Sequence, residues 1–192
     1  MKIKFKNLEH KNIKIEDPIE YFGIDNYYKI CSYYKLAPQQ CAINAQKLAA
    51  YCIVNNKTFE VVECILESYH DGKPIYHPHC ISYWNGHYFD FTLSIAEAYN
   101  IASNIIGYDT CVIQPNEKCI PLRRYEWNEI KKFIDYCTKN NLHIFLTFMD
   151  NLWHIDKNGK IQQPKENNNW ECVKRDGIDN VYIIERNKFT IN

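Results

Sequence analysis

The stretch "HCISYWNGHYFDFT" (79–92) constrains this chain more than any other part of it. Asn85-Gly86 stands between two aromatic runs, and a two-residue type I′ turn needs positive φ at both central positions, which these two residues tolerate. The pattern predicts strands over about 79–84 and 87–92, with Trp84 facing His87, Tyr83 facing Tyr88, Ile81 facing Asp90 and His79 facing Thr92. Side chains alternate along a strand, so His79, Ile81, Tyr83, Tyr88, Asp90 and Thr92 fall on one face and Cys80, Ser82, Trp84, His87 and Phe89 on the other. His79 and Asp90 become diagonal neighbours about 7 to 8 Å apart, a gap that an imidazole and a carboxylate can bridge. His87 is excluded by parity.

An imidazole braced by a carboxylate is half of a nucleophilic machine. The carboxylate fixes the tautomer and stabilises the imidazolium, leaving the second ring nitrogen to take a proton from a nucleophile. The segment "PQQCAINAQKLAAYC" (38–52) offers that nucleophile. It reads as a helix over about 40–54 in which Cys41, Asn44, Ala45, Leu48, Ala49 and Cys52 share the inward face. Cys41 opens the helix, where unpaired N–H groups and the helix dipole favour a thiolate. None of the other eight cysteines has such a position. Taken alone, a cysteine such as Cys41 is more often a small buried residue than a nucleophile. The order, parity and spacing of Cys41, His79 and Asp90 together favour chemistry. The Cys41 N–H is one oxyanion donor, the side-chain amide of Gln39 or Gln40 is a candidate second, and Asn44 is a supporting residue.

The rest of the chain frames that constellation. Asp17 and Pro18 form an N-cap and N1 pair for a Tyr-rich helix over about 18–34, broken near Pro38. "TFEVVECILESY" (58–69) reads as a strand despite Glu60, Glu63 and Glu67. Ile95 to Ile105 reads as a short helix, and "YEWNEIKKFIDYCTKNN" places Trp127, Ile130, Ile134 and Cys137 at helical spacing. "LHIFLTF", "LWHID", "WECVKR" and "VYIIERN" read as four further strands. Helices first and strands later predict an α+β fold with a mostly antiparallel sheet.

Length and composition bound the partners. A chain of 192 residues that is 46% hydrophobic suits a single domain over 1–192, with a catalytic core about 17–104 and a C-terminal α/β extension about 105–192 that completes the sheet or the substrate site. Lys+Arg and Asp+Glu are both 23, which draws the chain toward neither nucleic acid nor an anionic membrane. The basic stretches "PLRRYEW" and "EIKKF" read as solvated faces. No apolar run is long enough for export or membrane spanning, and nine cysteines without a CxxC pair fit reduced thiols, so the expectation is a cytoplasmic protein. The cluster "HPHC" suggests a metal, but His79 and Cys80 point to opposite faces and no second pair completes a zinc set, so neither metal nor cofactor is expected.

Taken together, "QCAINAQKLA", "VVECILES" and "HCISYWNGHYFDFT", with His79 and Asp90 eleven residues apart, resemble the transglutaminase-like branch of the papain-like cysteine enzymes. That branch includes transglutaminases, peptide N-glycanase-like proteins, arylamine N-acetyltransferases and many microbial proteases. The resemblance covers about residues 38–94. It implies a papain-like core with N-terminal helices, including the nucleophile helix, packed on the sheet. It implies Cys41 as nucleophile, His79 as general base then acid, Asp90 as orienting carboxylate, and acyl transfer or hydrolysis on a protein, a peptide or a small amide. The chain departs at Ile81, where relatives often carry Trp, at Cys64, where Gly is common, and at Phe91-Thr92, where Pro-Thr is usual. Those departures leave a second reading, a catalytically silent binding or inhibitor protein with the same fold.

Overall fold

The computed structural model describes residues 4–38, 40–95, 118–139, 154–155, 161–162 and 186–191. The first helix begins as its sequence predicts. Asp17 Oδ1 accepts the Ile19 N–H at 2.7 Å, and Pro18 takes the first helical position, where a missing N–H costs nothing. It does not continue to 34. Gly23 adopts φ 80°, outside the helical region, and divides the segment into α1 (Pro18–Phe22) and α2 (Ile24–Tyr33).

The next helix, α3, spans Cys41–Tyr51. Asn44, Ala45, Leu48 and Ala49 are buried as the spacing predicts, and Gln46, Ala50 and Tyr51 are buried as well, so the helix is enclosed on most sides. Cys52 does not belong to it. It starts β2 (Cys52–Val54), which is buried between β3 (Lys57–Thr58) and the C-terminal β10 (Asn187–Phe189), the latter pairing parallel to it.

The main sheet has five strands in the order β1-β7-β4-β5-β6 and is antiparallel at every junction. Its centre is a long ribbon of β4 (Glu60–His70) and β5 (Lys73–Trp84), flanked by β6 (His87–Phe89) on one side and by β7 (Lys118–Tyr125) and β1 (Lys6–Asn7) on the other. The fold is thus mixed, with helices and a mostly antiparallel sheet. Asn85 and Gly86 have φ 51° and 93°, the two positive values the turn requires, and the register sets Trp84 against His87 and Tyr83 against Tyr88. An added Cβ at Gly86 would meet nothing within 4 Å, so Gly86→Ala carries only the backbone strain. A loss of about 1 to 2 kcal/mol is expected, read as a lowered urea midpoint.

Two parts of the sheet differ from the sequence expectation. The strand expected over 87–92 ends at Phe89, and 91–95 form a helical turn, α4, because Asp90 becomes its cap rather than a sheet residue. Helix 95–105 lies outside the described residues beyond Ile95. "PLRRYEW" is no solvated face but part of β7, with Leu122, Arg123 and Tyr125 buried. Pro121 argues against a central strand in sequence, and the structure accommodates it at a bulge. The partner of Glu63 is Arg123 and the partner of Cys64 is Pro121, leaving Leu122 as the extra residue.

Each face of the sheet has its own core. On one, Val61, Cys80, Trp84, Phe89 and Tyr125 pack with α1, α2, α3 and α5 (Trp127–Lys139), whose Ile130, Phe133 and Ile134 point inward. On the other, Val62, Cys64, Leu66, Ile81 and Cys119 are covered by Leu8, Ile13 and Ile15 of the N-terminal segment. Of the remaining predicted strands, "LWHID" contributes His154–Ile155 (β8), which pairs with Ile161–Gln162 (β9), whereas "LHIFLTF", "WECVKR" and all of "VYIIERN" but Arg186 and Asn187 lie outside the described residues. No helix among the described residues is long and apolar enough to cross a membrane.

Candidate active site

Three segments meet beside the outer edge of β5. The backbone groups of a strand lie in the sheet plane and alternate between its two neighbours. Trp84 and Ser82 direct theirs to β6, opposite His87 and Phe89. By the same alternation Cys80 also points away from β4, toward the place where residue 91 would stand if β6 continued. The chain instead turns into α4 at Asp90, and the start of α3 occupies the gap. The Cys80 main-chain N–H stands beside the Cys41 sulfur there and favours its ionised form.

His79 faces the same opening. Its Nε2 lies 2.5 Å from Asp90 Oδ2, and since an ionised carboxylate only accepts, the ring nitrogen donates. The ring also stands beside the Cys41 thiol and favours its ionised form, with Nδ1 the nitrogen left to face it. Sulfur, imidazole and carboxylate therefore stand in one row. The Asp90 side chain is 3% exposed, that of His79 12%, and Cys41 is half-buried, so the carboxylate end is sealed and the thiol end is the more open.

Burial opposes charge at Cys31, Cys41, Cys52, Cys64 and Cys80, yet Cys41 ends differently from the other four. Desolvation pushes Cys31 and Cys52 up to about 12 and holds Cys64 and Cys80 well above the ordinary thiol range. At Cys41 burial also raises the pKa, but the hydrogen bond and charge of His79 and the Cys80 amide outweigh it, and the thiol lies below its usual value. At His79 burial disfavours the imidazolium, whereas the charge and hydrogen bond of Asp90, followed by those of Cys41, raise its pKa well above the ordinary value. The two shifts run in opposite directions and each partner supports the charge of the other, as in a coupled thiol–imidazole pair.

Asp90 is held by its own backbone. Its Oδ1 accepts the Leu93 N–H at 2.9 Å and its C=O accepts the Ser94 N–H at 3.2 Å, so it caps α4 with one oxygen and grips His79 with the other. The turn is anchored by Phe91, which stacks on Tyr27 and Phe22, and by Ser94, whose hydroxyl lies 2.9 Å from that of Tyr27.

The supporting residues fare unequally. Cys41 is the first residue of α3, so its N–H has no partner within the helix and remains available to an oxyanion. Gln40 is the N-cap, exposed and without a side-chain capping bond, while Gln39 lies outside the described residues. Asn44 is not an oxyanion donor. Its amide is turned inward onto Ala37 and Thr92. His77 is exposed whereas Cys80 is buried, so "HPHC" does not converge on one point, and among the described residues no three His, Cys, Asp or Glu side chains are grouped to hold a metal. The Cys80 amide was not foreseen from sequence. Main-chain donors carry no residue signature.

Compared with known proteins, the chain matches no family model, no curated protein and no solved structure.

Proposed function

We propose that this chain is a cysteine-dependent hydrolase or acyltransferase of the papain-like, transglutaminase-like kind, acting on an amide or peptide bond. The observation that carries the reading is the row of Cys41, His79 and Asp90, in which the His79 ring donates to the carboxylate at 2.5 Å and stands beside the thiol. In this reading the Cys41 thiolate attacks the amide carbonyl carbon, forming a C–S bond while the Cys41 N–H meets the developing oxyanion. The His79 imidazolium passes its Nδ1 proton to the amine nitrogen as the C–N bond breaks, leaving a thioester. Water, or a second amine, then attacks that thioester, giving its proton to His79 as the thiolate departs. Asp90 keeps Nε2–H donated throughout and balances the positive ring.

The test is selective alkylation of the folded protein. Brief iodoacetamide treatment at pH 6, read by peptide mass spectrometry, is expected to label Cys41 ahead of the other eight cysteines, because a thiol of ordinary pKa near 8.5 is only about 0.3% ionised there. Labelling spread evenly, or absent at Cys41, favours the silent binding protein instead.

A further inference from the structure

The reading above uses a nucleophile on α3 and a carboxylate on α4, two elements that are 49 residues apart at Cys41 and Asp90. Something must fix their separation, since a displacement of about 1 Å in such a constellation is enough to cost 100-fold in rate. Asn44 lies one helical turn beyond Cys41 and is 1% exposed. Its Oδ1 accepts the Ala37 N–H at 3.1 Å and its Nδ2 donates to the Ala37 C=O at 2.7 Å, so one amide pairs with both polar groups of a residue just upstream of the nucleophile. The second Nδ2 hydrogen goes to Thr92 Oγ1 at 2.8 Å, and Thr92 is buried two residues after Asp90.

We infer that Asn44 is a positioning residue that bolts three segments together: the nucleophile helix, the loop entering it, and the turn that carries the carboxylate. The inference rests on the cysteine-enzyme reading of the same site. An asparagine suits the task because it offers one acceptor and two donors in a plane, and here all three have partners. A buried Asn with a merely structural purpose would affect only unfolding. A positioning Asn must also set how well Asp90 and His79 stand against Cys41. Asn44 itself touches no reacting atom and acts through Ala37 and Thr92.

Thr92 allows the link to be cut on one side only. Thr92→Val keeps the shape and leaves the Ala37 pairing intact but removes the hydroxyl, whereas Thr92→Ser keeps the hydroxyl. The readout is the rate of Cys41 alkylation by iodoacetamide between pH 5 and 9, taken on the whole chain below its unfolding temperature. Thr92→Val is expected to slow alkylation at pH 6 by about 10-fold, in keeping with the loss of one buried hydrogen bond, and to shift the pH profile upward. Thr92→Ser is expected to stay within about 2-fold of the parent. Asn44→Ala should lose at least as much as Thr92→Val, and the double variant no more than Asn44→Ala alone, since both act through one contact. If the pH profile of Thr92→Val overlays that of the parent, the inference is overturned, whatever happens to its melting temperature, and this arm stands even where Asn44→Ala does not fold. Failure of the underlying reading looks different. In that case the parent protein itself shows no preference for Cys41 at pH 6.

Discussion

Replacing Asp90 with Asn is expected to slow Cys41 alkylation at pH 6 by about 100-fold while leaving the protein folded. Oδ1 of Asn accepts the Leu93 N–H as Asp does, so the cap of α4 is kept. The charge is not. His79 has a raised pKa against the opposing effect of burial because the Asp90 carboxylate and then Cys41 support its proton. Without that charge the ring holds its proton less firmly, and the thiolate loses support from the cation that holds its pKa down. A thiol that returns to about 8.5 is ionised to about 0.3% at pH 6 and gains tenfold per pH unit up to that value. The parent profile should be shallower from pH 6 to 8 than the variant profile. Two superimposable profiles would show that Asp90 does not govern the thiol.

The second large effect concerns Glu63, on β4 directly across from Cys80. It is buried at 1% exposure, and burial pushes its carboxyl up to about 8 even though Arg123 and the Tyr125 hydroxyl, which donates to Oε2 at 3.1 Å, act to lower it. A carboxyl whose folded pKa lies above its unfolded value takes up a proton on folding. The stability it contributes is complete below the unfolded pKa of 4.5 and is lost as pH rises through about 8. At about 1.4 kcal/mol per unit, the parent protein should lose a few kcal/mol between pH 5 and 8 through this one group. Glu63→Gln keeps the shape and an acceptor for Tyr125 but has nothing to titrate. Its urea-unfolding free energy should be nearly level over the same range and exceed that of the parent at pH 8. Parallel pH curves for the two proteins would refute the assignment.

These residues also show where sequence reasoning reaches and where it stops. Asn85-Gly86 set the hairpin and its register through local backbone chemistry alone, and Asp17-Pro18 did the same for the start of α1. Asp90 was placed beside His79 by extending strand alternation to position 90, yet β6 ends at Phe89 and the carboxylate arrives as a helix cap. The proximity followed from register, the local structure from a capping preference that alternation does not encode. The strand over 58–69 is legible despite Glu60, Glu63 and Glu67, but the burial of Glu63 is not, because it depends on the pairing of β4 with β7 as well as with β5. β7 itself was hidden by Pro121 and two arginines, whose roles depend on a bulge opposite Cys64 and on partners far away in sequence.

The alternation that turns the Cys80 amide toward Cys41 applies along the rest of β5. Tyr76 and the two prolines, Pro74 and Pro78, sit on the same outward parity, and among the described residues no strand flanks this stretch. Two of the three outward positions thus have no hydrogen to donate, and the proline rings stand where a further strand would approach. The long ribbon is thereby blunted against edge-to-edge association with a second molecule, a protection built into the same strand that carries His79.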